Sequence, residues 1–162
     1  MTSSPSRTLA ALAAALAVPI SLASCATAPS DDEQARTIES SVTSVEHVTG
    51  AFVAFTSTGP SSDGVLVNLY VDSAQLPDLV AAADGSLKAI WTSAQVRPAF
   101  VHIALAPVEK PADAGRLESN AIDPADVASA LGIDGTKVVR QLIMIEAKDM
   151  EAHYGAWQEP AE

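Results

Sequence analysis

The sequence predicts an α+β domain: a single four-stranded, mainly antiparallel sheet with helices packed on one face. Three observations predict it. Val65 to Asp72 alternates without a break, with Val65, Val67, Leu69 and Val71 on one side and Leu66, Asn68, Tyr70 and Asp72 on the other. That is the pattern of a half-buried strand. Leu76, Leu79, Val80, Ala83, Leu87, Ile90, Trp91 and Ala94 stay in phase on one helical face. The elements run helix, strand, strand, helix, strand, helix, strand, helix, with no internal repeat, so one sheet layered against helices satisfies the order.

Taken in order, Ile38, Val42 and Val45 recur at helical spacing from Ala35 onward and predict a short amphipathic helix. Their β-branched side chains leave a strand open there. Val48 to Thr56 is apolar and Phe-rich and reads as a strand. Gly59 to Gly64 is a turn cluster, so this strand and the alternating one form a hairpin. Ser73 can cap the long helix that follows. Gly85 weakens that helix by roughly 1 kcal/mol relative to alanine without breaking its phase. Pro98 stops it, because the residue before a proline is pushed out of helical geometry.

Ala99 to Ala106 is a third strand, and Pro107 to Asn120 is a polar loop. Asp123 and Pro124 read as the cap and first-turn proline of a short helix ending near Leu131-Gly132. Asp134-Gly135 turns the chain into a fourth strand, Val138 to Ile145. Glu146 to Trp157 reads as a terminal helix, and residues 159–162 as a fraying tail. The domain is therefore expected over residues 35–158.

Composition limits the function. The chain has 162 residues, a formal net charge of −11, 48% hydrophobic residues and one cysteine. That apolar fraction excludes a disordered chain. The acidic balance argues against nucleic-acid partners, which need a basic surface. One cysteine excludes an internal disulfide framework.

The N-terminus carries the most specific signal. Met1 to Thr8 is polar with one positive charge, Arg7, and Leu9 to Leu22 is an apolar, Ala/Leu-rich run. Its 14 residues would span roughly 21 Å as a helix, short of the roughly 30 Å hydrocarbon core. The order is that of a secretory signal, residues 1–24. The run ends in Leu22-Ala23-Ser24-Cys25, which resembles the lipobox of bacterial lipoproteins, especially the small ones of actinobacteria. The resemblance implies a diacylglyceryl group on the Cys25 sulfur, cleavage before Cys25 and a new amine open to acylation. A thiolate is a good nucleophile for such alkylation. It also implies a lipid anchor at the extracytoplasmic face of the cell membrane. Cleavage removes 24 residues and Arg7 with them, so the net charge becomes −12. Anionic headgroups repel such a surface, leaving the acyl chains to hold it. Residues 25–34, small and acidic, read as a tether.

No GxSxG elbow, HExxH pair or phosphate-cradling glycine loop is present, so no catalytic residue or cofactor is assigned. Two groups are candidates for binding. If the second and third strands are neighbours, Asn68, Tyr70 and His102 share a sheet face. That face is either a shallow polar ligand site or simply the partly wet side of the sheet. Glu146, Asp149 and His153 stand three and four residues apart, so on one helix they share a face. Two carboxylates and an imidazole suit a divalent cation, and equally a solvated surface. His47 is expected at a helix end, where a cation meets the negative end of the dipole. Trp91 is expected in the core, and Trp157 folded back to seal it. The expected function is a membrane-anchored domain that binds a protein or cell-envelope component without chemistry. The alternative is a small-ligand or metal-binding lipoprotein.

Overall fold

Ser30 caps the first helix by accepting a 3.3 Å hydrogen bond from the Glu33 amide. Asp31, Asp32 and Glu33 fill its first turn, where carboxylates stabilise the positive end of the dipole. The helix, α1 (Asp31–Thr43), thus starts four residues before the expected position. The last part of the expected tether, Asp31 to Gln34, belongs to the domain, and Gln34 is buried. The computed structural model describes residues 30–57, 63–114 and 122–160. The expected signal sequence, residues 1–24, and residues 25–29 of the expected tether, Cys25 among them, lie outside the described residues.

After α1 come β1 (Val48–Ser57), β2 (Asp63–Val71), α2 (Leu76–Ser93) and β3 (Phe100–Ala106). Then follow α3 (Ala125–Ala130), β4 (Lys137–Val139), β5 (Leu142–Glu146) and α4 (Ala147–Tyr154). The architecture is α+β with a single mixed sheet of five strands in the order β1-β2-β3-β5-β4. β1 and β2 form the expected antiparallel hairpin, with Val53 opposite Val67. β2 and β3 are parallel, with Leu66 opposite His102. Parallel neighbours need a long crossover, and α2 supplies it. β3 pairs antiparallel with β5.

The sheet has five strands rather than four because Val138 to Ile145 is not one strand. Arg140 and Gln141 form a two-residue turn between β4 and β5, and Val139 lies opposite Leu142. Arg140 takes the left-handed conformation, φ 60°, that such a turn requires. The terminal helix also starts late and ends early. Glu146 is extended, φ −81° and ψ 155°, and stands at the N-cap rather than inside α4. Gly155 closes α4 at φ 91°.

One face of the sheet carries the core. Val53, Val67, Leu69, Val101, Ile103, Leu105, Ile143 and Ile145 pack with Ile38 and Val42 of α1 and with Leu79, Ala83, Leu87 and Ile90 of α2. Val127 of α3 and Met150 of α4 join the same cluster. Trp91 is buried as expected, and Trp157 packs partly buried against the core. Gly85 explains itself here: a Cβ on it would come within 2.6 Å of Val45, so only glycine lets the turn after α1 lie against α2.

Candidate functional site

The side of the sheet away from this core holds the first candidate group. The parallel register sets Leu66, Asn68 and Tyr70 of β2 beside His102, Ala104 and Ala106 of β3, so all six share one face. The expectation that Asn68, Tyr70 and His102 lie together on a face therefore holds. Their accessibility differs. Asn68 and Tyr70 are 1% and 0% exposed, so they are interior groups rather than the lining of a shallow ligand site. His102 alone of the three is half-buried.

The surroundings of His102 are apolar. Leu66 lies beside it on β2 and Met144 opposite it on β5. Its ring sits 5.0 Å from the Phe100 ring, tilted by 48°. Burial disfavours the imidazolium and holds its pKa below the ordinary 6.5. Its Nε2 is buried with no hydrogen-bond partner among the described residues. A neutral imidazole of this kind can donate or accept one hydrogen bond.

The second group does not converge. Glu146 accepts from Lys137 at 2.5 Å and from Lys148 at 3.2 Å. These hydrogen bonds, led by Lys137, hold its carboxyl below the ordinary carboxylate range. The Asp149 carboxylate packs against Gly135 in the turn before β4. His153 Nε2 lies 3.6 Å from Asp84 Oδ1, and its ring meets Tyr154 edge-on at 4.7 Å. The three side chains thus face three different neighbours. Glu146 stands one residue before α4, so helical spacing does not reach it, and Asp149 and His153, both inside α4, meet partners on other segments. Among the described residues, no group of three or more His, Cys, Asp or Glu is placed to hold a metal ion.

Two other constellations were not legible in the sequence. In the first, Tyr154 at the end of α4 donates to Asp84 Oδ1 of α2 at 2.8 Å. Burial, and then this bond, pushes its phenol well above the ordinary range. Trp91 and Tyr154 border a 480 Å³ cleft together with Thr92, Ala156 and Gln158. In the second, His47 sits in the turn between α1 and β1 at φ 66°. Its Nδ1 lies 3.1 Å from Asp72 Oδ1, just past β2. No spacing signal links positions 47 and 72, because only the β1–β2 pairing brings them together. A cleft of about 430 Å³ adjoins this corner, lined by Thr49, Val71, Asp72, Pro107, Val108 and Glu109.

No helix among the described residues is long and apolar enough to cross a membrane. No protein-family model, no curated protein and no solved structure matches the chain.

Proposed function

We propose that this chain is a bacterial lipoprotein, anchored through a lipidated Cys25, whose small acidic domain binds a protein or envelope component without catalysis. The observation that carries the reading is the sequence Leu22-Ala23-Ser24-Cys25 at the end of an apolar run preceded by Arg7. The position of the domain supports it. The first helix is capped at Ser30, so four residues separate Cys25 from the domain. An anchor that short holds the domain against the extracytoplasmic face of the membrane. Two or three acyl chains, at about 0.8 kcal/mol per buried CH₂, make such an anchor stable.

The ion pairs around the domain are structural. Arg97, Lys110, Lys137 and Lys148 each sit in an ion pair with a glutamate. His47 and His153 each face aspartates. These contacts tie elements of the fold to one another.

Metabolic labelling with an alkyne fatty acid, followed by membrane fractionation and in-cell crosslinking, tests the proposal. The expected result is label on the wild-type chain in the membrane fraction and a crosslinked partner in near-equal amount. Both should be lost in the Cys25→Ala variant. An unlabelled wild-type chain, or a variant that stays membrane-bound, overturns the anchor. An anchored chain that captures no specific partner overturns the binding role.

A further inference from the structure

His47 links three segments of the chain at once. It stands in the turn between α1 and β1, and its carbonyl accepts the Asp72 amide at 3.2 Å. Its ring Nδ1 lies 3.1 Å from Asp72 Oδ1. On the other side of the ring, Nε2 lies 3.6 Å from Asp78 Oδ1, in the first turn of α2, and 3.8 Å from Glu46 Oε1. Asp78 in turn accepts from Ser73 Oγ at 2.6 Å. Asp72 also lines the neighbouring cleft with Glu109 of the loop after β3. Among the described residues, every charged group facing this imidazole is therefore a carboxylate.

The two ring nitrogens play unequal parts. Nδ1 keeps its proton in the neutral ring, because it donates to Asp72. The proton lost on titration is then the one on Nε2. With it, Nε2 attracts Asp78 and Glu46. Without it, a lone pair faces two carboxylates and the attraction ends.

We propose that His47 is a proton-operated latch: protonated at Nε2, it holds the start of α2 against the turn between α1 and β1, and on deprotonation it loosens the segment Ser73 to Asp78, ahead of the core residue Leu79. The hydrogen bond from Nδ1 to Asp72 survives release, so the hairpin stays registered while the helix start loosens. The surrounding carboxylates favour the protonated ring and so move the release above the ordinary histidine range. The latch does not depend on the Cys25 anchor.

Hydrogen–deuterium exchange of the purified full chain at pH 5.5 and 8.5, with rates referred to the intrinsic exchange rate at each pH, tests the latch. Carboxylates do not titrate in that window. Amide protection over residues 73–78 should fall about 2- to 5-fold at the higher pH, the size expected for exposed ion pairs. Protection over β3 should not change. His47→Asn keeps a residue that tolerates positive φ but cannot ionise, and it should abolish the pH response. Asp78→Asn removes the partner of Nε2 while leaving the Asp72 bond, and it should abolish the response as well. Equal protection at both pH values in the wild type overturns the latch. So does a response that persists in either variant.

Discussion

The Trp91 indole donates a 2.9 Å hydrogen bond to the Gly155 carbonyl, joining α2 to the segment that leaves α4. Trp91 is only 2% exposed, and Arg97 lies 5.7 Å over its ring while pairing with Glu151 of α4 at 2.5 Å. One buried donor thus ties α2 to the end of α4, and one charged bridge ties the segment after α2 to α4. Trp91→Phe leaves the carbonyl unpaired and shrinks the packed ring. It should lower stability by about 1–3 kcal/mol, read as a lower urea midpoint with an unchanged slope. Arg97→Ala, which removes an exposed pair, should cost less than about 1 kcal/mol.

Gly64 and Phe100 form a second dependent pair. They are register partners across β2 and β3, and a Cβ on Gly64 would run into the Phe100 ring. The glycine is needed because the ring lies over the backbone, not because of its dihedral angles. Gly64→Ala should destabilise by about 1–3 kcal/mol through overpacking. Gly64→Ala combined with Phe100→Ala should cost less than the two single changes added together. A double-mutant cycle by chemical denaturation measures this coupling.

The first helix is integral to the domain. Ile38 is fully buried in the core shared by the sheet and α2. Ile38→Ala should therefore cost about 2–5 kcal/mol, the range for a large core truncation. Ser30→Ala removes the cap and should cost about 1 kcal/mol. If α1 were part of a solvated tether, neither change would move the thermal midpoint.

Two histidines should respond to pH in opposite senses. His102 has its pKa lowered by burial, so its contribution to stability is present above the ordinary 6.5. It is lost as pH falls through that value towards the lowered one. His102→Leu should flatten the acid side of a midpoint-against-pH curve. His47 has its pKa raised, first by the hydrogen bond with Asp72 and then by the nearby Asp78 and Glu46 charges. Its contribution is fully present below 6.5 and is lost as pH rises through the raised value. Nitrogen-detected NMR of the imidazoles should show His47 titrating above His102.

Much of the layer structure was legible in the residues. The alternation of Val65 to Val71 placed β2, and the phase of Leu79, Ala83, Leu87 and Ile90 placed α2. The shared face of Asn68, Tyr70 and His102 followed once β2 and β3 were neighbours. The β4–β5 turn was missed because Arg140-Gln141 carries none of the Gly or Asn signals of a tight turn. The divergence of Glu146, Asp149 and His153 was not legible, because Glu146 stands one residue outside α4 while Asp149 and His153, both within it, meet Gly135 and Asp84, partners that only the tertiary structure supplies.

The sequence by itself determined the class, because the periods of two and 3.6 are local properties of side chains along the chain. The run Leu22-Ala23-Ser24-Cys25, on which the proposed anchor rests, is likewise read in order and needs no fold. Only the tertiary structure decided the strand order β1-β2-β3-β5-β4, the burial of Asn68 and Tyr70, and the gathering of His47 with Asp72 and Asp78. These are contacts between segments far apart in sequence. Their energies come from pairing and burial across the sheet, and no window along the chain contains both partners.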